Sequence, residues 1–392
     1  MDLTLIAVIA VVALALLFDF TNGFHDAANS VATVVATRAL PAKWAVWFSA
    51  FFNFAAVFVV GTAVANTVAK TVKADFSGVA VIFAALFAAI VWNYATWWFG
   101  MPSSSSHALI GGLVGAGLAA GGTDAIAWSS VQKTAIAIVA SPLVAFAIAA
   151  IAMWVVARLR RSFGWSENAR GFKWLQLVSA GAVSFGHGAN DAQKTMGVIA
   201  ALLLGTGHLV ASPDGSVPVP LWVEFAAYTA IAIGTIWGGW KIIETMGLKI
   251  TTLHASSGTA ANVGAVTAIF GATGLGVPIS TTHAAASSVV GAGVASGNGV
   301  NFRVVGEMVL GWIITVPATI LVAFGAFKLT QLPGAFAWVA TGLIVIVAAV
   351  LIIWAMTHSI TADDVEAELA SEKELGPELS LAPHHETHGP AA

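Results

Sequence analysis

The sequence places Gly, His, Asn and Asp together at two points inside apolar stretches. GFHDAANSVAT stands at residues 23–33 and GHGANDAQKTM at residues 186–196. An ionised carboxylate that faces lipid is costly, so an intramembrane acid usually lines a cavity or pairs with another group. Asp26 and Asp191 therefore indicate sites for a cation, which is either a metal ion or a proton.

Neighbouring side chains could complete such sites. Amide and carbonyl oxygens suit hard metal ions, and imidazole can carry a proton near neutral pH. Gly23 and Gly188 are expected to let backbone carbonyls turn outward as further ligands. A metal ion, if one binds, is expected at Asp26 and Asp191. The candidates for cation or proton coupling are His25, Asp26, Asn29, Asn190, Asp191 and Lys194.

A second pair of motifs combines Pro with hydroxyl side chains and His. PSSSSH occupies residues 102–107 and PISTTH residues 278–283, each followed by an apolar Gly-rich run. Each reads as a helix that begins inside the membrane, where its first N–H groups would lack partners. An anion is a natural partner, because the helix dipole also favours negative charge there. The candidate anion-binding residues are Ser104, Ser105, Ser106, Ser280, Thr281, Thr282 and, as a further donor, Gln193.

Structural roles are open for several of these residues. Ser and Thr in membrane helices often bond to their own backbone or to a neighbouring helix. Gln193 could be a packing residue, and Lys194 could pair with Asp191 for structure only. His107 and His283 could serve either packing or transport, and Asp19, which no second copy matches, stays open.

The composition identifies the elements that must position these motifs. Of 392 residues, 58% are hydrophobic and 9% are charged, against roughly 25% charged in soluble domains, and the mean hydropathy is +0.88. The apolar stretches are of helix length rather than the short alternating strands of a membrane barrel. We expect an all-α polytopic membrane protein with about ten to twelve transmembrane helices, some of them broken half-helices.

The two halves of the sequence repeat each other. Aligning Pro102 with Pro278 gives nine identical residues in eighteen positions. Asp26 aligns with Asp191 if one loop insertion is allowed. Duplication of this kind is typical of transporters, whose sites lie between inverted repeats on interrupted helices.

The duplication also divides the chain. We predict a first transmembrane repeat at residues 1–157, a basic loop at 158–173, a second repeat at 174–356 and a polar acidic, flexible tail at 357–392. Five of the fifteen Lys and Arg residues that precede the tail crowd the loop, so the positive-inside tendency puts it in the cytoplasm. The tail is expected to be mostly solvated, with at most one short helix.

The paired motifs resemble those of the inorganic phosphate transporter (PiT) family, and most of all its bacterial low-affinity members. The resemblance runs through roughly residues 10–356. It implies a carrier in the cell inner membrane, surrounded by lipid. Each chain is expected to contain two inverted repeats, and two chains are expected to form a homodimer. The resemblance implies neither an enzyme nor a nucleic-acid-binding protein. It further implies that the two half-helix starts hold phosphate and that the Asp motifs hold the coupling cation. No resident cofactor is expected.

One position departs from the symmetric family pattern. The second copy reads Asp191-Ala-Gln-Lys194, so that Lys194 stands where the first copy has Asn29. A fixed ammonium could occupy the place of a sodium ion. Together with His25 beside Asp26, this favours symport with protons, with sodium as the alternative. Phosphate could also travel as a neutral complex with a divalent metal, which is cheaper to move through a low dielectric.

Two other classes of function are alternatives to phosphate transport. A membrane hydrolase could use Ser106 with His107, or an aspartyl dyad of Asp26 and Asp191. The adjacent Ser106 and His107 point about 100° apart on a helix, however, which disfavours a catalytic pair. A carrier or channel for another tetrahedral oxyanion, such as sulfate, is the remaining alternative.

Overall fold

The computed structural model describes residues 3–375, and most of these residues are helical. No β-strand occurs among these residues; a single isolated bridge joins Val72 and Ile126. The predicted all-α class is therefore confirmed. The α-helices are α1 (Leu3–His25), α2 (Ala28–Ala36), α3 (Ala42–Ala55), α4 (Ala63–Ala69), α5 (Val79–Trp98), α6 (Ser105–Gly121), α7 (Trp128–Phe163), α8 (Arg170–Gly205), α9 (Leu221–Trp237), α10 (Trp240–Glu244), α11 (Ala255–Gly274), α12 (Thr281–Ser296), α13 (Phe302–Thr330), α14 (Ala335–Thr357) and α15 (Ala362–Leu375).

Six helical segments of the described chain are long and apolar enough to cross a membrane by themselves. The number rises to eight if two bent pairs, α3 with α4 and α9 with α10, each form one broken span. The sequence-based count of ten to twelve also included the regions of α8, α11 and α12. α8 and α11 are rich in small and polar residues and bury most of their length inside the bundle, so their apolar character is lower than that of helices that face lipid. α12, with 16 residues, is shorter than a full span.

The order of elements recurs along the chain. Two helical hairpins, α5–α6 and α11–α12, begin at Val79 and Ala255, and their second helices begin at Ser105 and Thr281, so that both pairs are separated by 176 residues. A long helix follows each hairpin. The bent pairs precede them, with angles of 87° and 70° between their members. This recurrence supports the duplication proposed from the motifs.

The hairpins pack crosswise. The second helix of the first hairpin, α6, lies against α13, whereas the second helix of the other hairpin, α12, lies against α7. Each half of the chain therefore completes the packing of the other half. The starts of α6 and α12 are thereby brought next to each other.

The two Asp motifs have different backbones. The helix breaks after His25 and resumes at Ala28, whereas α8 continues without interruption through the second motif. The prediction that Gly188 turns a carbonyl outward is therefore wrong. A Cβ atom at Gly188 would lie 2.4 Å from the carbonyl oxygen of Asn53, and one at Gly23 would lie 2.1 Å from that of Ile231. Both glycines instead let a neighbouring helix approach closely.

The basic loop is short, because α7 and α8 extend into it from both sides and leave only residues 164–169 between them. Five basic residues lie on the flanking helix ends. The end of the bundle that holds this loop, where α2 also ends beside Gln176, is called the basic-loop face below.

One short helix, α15, lies within the predicted acidic tail. Val365 and Leu369 are buried, the Arg38 guanidinium donates to the Leu369 carbonyl, and Glu366 Oε1 accepts from the Ala42 N–H at 2.9 Å. The helix is therefore docked against the start of α3 at the basic-loop face. Residues 376–392 of the tail lie outside the described residues.

Candidate functional site

Both helices that the Ser/Thr motifs predict begin where expected, and both begin in the same way. Ser104 caps α6 by accepting a hydrogen bond from the His107 N–H, and Ser280 caps α12 by accepting one from the His283 N–H, each at 3.1 Å. Such caps satisfy one of the N–H groups that a helix start leaves free. The remaining N–H groups of each first turn have no partner within their helix.

The two helix starts meet. The Ser106 hydroxyl donates to the Ile279 carbonyl, just before α12, at 2.8 Å. His107 and His283 lie edge to face with their ring centroids 4.3 Å apart. The candidate anion-binding residues of the two motifs therefore belong to one site rather than two.

Lys194 joins the two starts to the second Asp motif. Its Nζ atom lies 2.6 Å from Asp191 Oδ1 and 2.8 Å from the Ile279 carbonyl oxygen, and it also donates to Ser106 Oγ. The Lys194 side chain is 2% exposed. One ammonium group thus reaches the carboxylate and both hairpins.

The hydroxyls of α12 connect the two Asp motifs. The Asn29 amide donates to Thr281 Oγ1 at 3.2 Å and to Thr282 Oγ1 at 3.1 Å. The Thr281 hydroxyl in turn donates to Asp191 Oδ2 at 3.1 Å. Residues that are far apart in the chain therefore form one continuous polar network.

Asp26 lies at the other side of this network. Its Oδ1 atom lies 2.7 Å from His25 Nδ1 and accepts from the Ser105 hydroxyl at 3.4 Å. The other ring nitrogen of His25 lies 3.0 Å from Thr96 Oγ1. His25, which stands beside Asp26 in the sequence, therefore also contacts it in the fold and lies next to a helix start.

Three side chains could hold a metal ion. Ligand atoms of Asp26, His187 and Asp191 lie within 4.8 Å of one another. His187 Nδ1 lies 3.1 Å from Asn53 Oδ1, which fixes the ring and leaves Nε2 facing Asp191. Two carboxylates and an oriented imidazole are a ligand set that suits a divalent metal. His187 thus joins the two acids that the sequence indicated.

Two predicted site residues brace neighbouring elements in this conformation. Gln193 Oε1 accepts from the N–H groups of Val64 and Ala65 at the start of α4, at 2.9 and 3.3 Å. Asn190 donates to Thr273 Oγ1 at 2.9 Å and accepts from the Ile279 N–H at 3.3 Å. Both side chains hold the ends of helices around the network rather than entering it.

The sequence alone did not single out three further participants, which are the Ile279 carbonyl, Asn53 and Thr96. Asn53 stands in an aromatic-rich span and Thr96 close to three tryptophans. A single polar residue in such a span is the signal that could have found each of them, whereas a backbone carbonyl leaves no trace in the sequence.

None of the predicted site residues is more than 4% exposed, so the site is closed to both faces.

A closed, charged site between two helix starts, inside a bundle of apolar helices, defines a membrane transporter. The comparisons with known proteins agree. The chain is 47% identical over 328 residues to a Rhizobium meliloti protein described as a "probable low-affinity inorganic phosphate transporter", covering 82% of this chain and 97% of that protein. It is 41% identical over 321 residues to a Bacillus subtilis protein of the same description, covering 81% and 95%.

A solved structure described as "the sodium-dependent phosphate transporter" has the same fold, with a TM-score of 0.71, 25% identity and coverage of 84% of this chain and all of that one. The sequence profile of the phosphate transporter family matches residues 22–323. The chain therefore belongs to the phosphate transporter family. The predicted resemblance is confirmed, and membership of a transporter family confirms that the chain is not an enzyme.

Proposed function

We propose that the protein imports inorganic phosphate by symport with protons, through alternating access to the site described above. The observation that carries this proposal is the position of Lys194, whose ammonium contacts both half-helix starts. Charged donors and free helix N–H groups together form the kind of site that oxyanions occupy. Phosphate would bind between Ser104–Ser106 and Ser280–Thr282, where it would take over part of the hydrogen bonding of Lys194.

The bonding of Lys194 favours protons as the coupling ion. The ammonium neutralises Asp191, which is the acid that would otherwise require a cation in the second motif. His25 beside Asp26 supplies a group that can carry a proton. Sodium coupling is the alternative, since the solved relative is described as sodium-dependent.

Purified protein in liposomes tests the coupling ion. An inward proton gradient in sodium-free buffer should drive accumulation of labelled phosphate, and a proton ionophore should abolish it. A strict requirement for sodium would contradict proton coupling. Competition by arsenate but not by sulfate is expected if the site is specific for phosphate, and equal competition by sulfate would support a broader oxyanion carrier.

The triad of Asp26, His187 and Asp191 favours a complex of phosphate with a divalent metal as a second form of the substrate. A divalent metal held there, once bound phosphate had drawn the Lys194 ammonium away from Asp191, would lie beside the proposed phosphate site, so that phosphate could cross as a metal complex. Parallel uptake of labelled phosphate and a labelled divalent metal, in fixed ratio, is the expected result. Phosphate uptake that is unchanged by a chelator would contradict it.

The proposed function implies an arrangement of the repeats, an oligomeric state and an orientation in the membrane. We propose that the repeats are inverted, that 1–157 and 174–356 are their bounds, and that the protein is a homodimer in the inner membrane with its basic-loop face in the cytoplasm. The hairpins that meet at Ser106 and Ile279 support the inverted arrangement. The concentration of Arg and Lys at one end supports the orientation.

A further inference from the structure

Three acidic side chains are buried in the described part of the chain, and only two of them belong to the site above. Asp26 and Asp191 each have close partners. Asp19 is 0% exposed, and neither of its carboxyl oxygens has a hydrogen-bond partner among residues 3–375. An ionised carboxylate without donors in a membrane interior is costly.

The polar side chains that face Asp19 also have atoms without hydrogen-bond partners. Thr195 and Asn22 present polar side chains to it. Within the described chain, Thr195 Oγ1 and Asn22 Oδ1 also have no hydrogen-bond partner. A proton on Asp19 would supply a donor to Asn22 Oδ1, which is an acceptor that an ionised carboxylate cannot serve.

The charges around Asp19 do not offer it a counter-ion. Asp191 and Lys194 face it from α8, and Tyr228 faces it from α9. The ammonium of Lys194 is engaged by Asp191, Ser106 and the Ile279 carbonyl. An ionised Asp19 would therefore face a second carboxylate with no cation of its own.

Asp19 is connected to the proposed phosphate site without being part of it. It lies seven residues before Asp26, about 10 Å along the helix axis, on the side away from the basic-loop face. Asn22 stands between them, and its amide donates to Asp191 Oδ2 at 3.4 Å. Thr195 follows Lys194 directly on α8. A rearrangement of the Lys194–Asp191 pair would therefore affect Asp19 both through Asn22 and through Thr195.

We propose that Asp19 is the group that carries the coupled proton. It takes up one proton from water when the site opens away from the basic-loop face, is the neutral acid in the closed state described here, and releases the proton to water when the site opens at the basic-loop face. This inference rests on proton-coupled phosphate transport, and it assigns the proton to a residue outside the two paired motifs.

Asp19→Asn tests the assignment, because the amide keeps the size and a donor of the neutral acid but cannot release a proton. We expect this variant to retain phosphate–phosphate exchange in liposomes without a gradient. It should lose accumulation driven by a proton gradient, together with the proton influx that accompanies phosphate. Asp19→Glu should restore both, and Asp214→Asn, an exposed loop residue, should leave both unchanged.

The outcomes distinguish the role of Asp19 as the proton carrier from proton-coupled phosphate transport, on which that role rests. If the unmodified protein does not accumulate phosphate under a proton gradient, proton coupling itself is wrong. If it does and Asp19→Asn accumulates equally well, only the role of Asp19 is wrong. Loss of exchange as well as accumulation in Asp19→Asn also overturns it, since that indicates a structural role.

Infrared spectroscopy gives a second test that does not require transport. The carbonyl stretch of a protonated carboxyl should be present in the closed protein and should shift in Asp19→Glu. Absence of any protonated carboxyl band in the unmodified protein would contradict the assignment even if Asp19→Asn failed to fold.

Discussion

Lys194 Nζ lies 2.6 Å from Asp191 Oδ1, one helical turn earlier on α8, and both side chains are buried. Removing one member of such a pair leaves the other charge without compensation, which costs about 3–5 kcal/mol. The pair therefore contributes to both the folded structure and the site. Variants that remove one or both charges can separate the two contributions.

Lys194→Met should lower the unfolding temperature and reduce phosphate uptake by about 100-fold or more, the equivalent of roughly 3 kcal/mol. The double variant Lys194→Met/Asp191→Asn should regain most of the stability, because no buried charge is left unpaired, but not the transport. Thermal unfolding in detergent and uptake into liposomes measure the two effects. Full recovery of uptake in the double variant would show that the pair is structural only.

Lys194→Asn makes the second motif read like the first and removes the fixed ammonium. We expect the vacated position to accept a cation, so that phosphate uptake becomes stimulated by sodium. Initial rates with sodium or choline as the external cation measure this. Equal rates in the two salts would count against the idea that the ammonium stands in for a coupling ion.

Ser106→Ala removes a hydroxyl that binds both Lys194 and the Ile279 carbonyl. The KM for phosphate should rise about tenfold, as expected for the loss of one charge-assisted hydrogen bond of roughly 1.5 kcal/mol. Ser287→Ala is the matched control, since Ser287 lines an apolar cavity on the α7 and α13 side of α12. An unchanged KM in Ser106→Ala would remove that hydroxyl from the phosphate site.

Gly188→Ala introduces a Cβ atom 2.4 Å from the Asn53 carbonyl oxygen. The resulting overlap should separate α3 from α8 at a cost of about 1–3 kcal/mol and lower the unfolding temperature. Gly171→Ala in the first turn of the same helix meets no atom within 4 Å and should be neutral or slightly stabilising. Equal stability of the two variants would contradict the close-approach role of Gly188.

The sequence indicated which residue types make up the candidate site, whereas it did not indicate the neighbours of each residue. Asp26, Asp191, Lys194 and the two hydroxyl clusters could be found because charged and polar residues are costly in apolar spans and because the motifs occur twice. Their partners come from elements far apart in the chain. Local sequence therefore carries no record of contacts such as that of His187 with Asn53.

The roles of Gly188 and Gln193 show the same limit. A glycine permits both a helix break and a close helix contact, and only the position of α3 decides between them. The Gln193 amide could donate to an anion or accept from a helix start, and the start of α4, 129 residues away from it, decides. In both cases tertiary packing selects one of two locally acceptable roles.

The crosswise packing of the hairpins has a consequence for biosynthesis. When the ribosome has completed α7, the helix that covers α6, which is α13, has not yet been made. We therefore expect α6 and α7 to enter the bilayer before the helices that they pack against, α13 and α12. The native packing of the N-terminal half is complete only after α12 and α13 have been inserted.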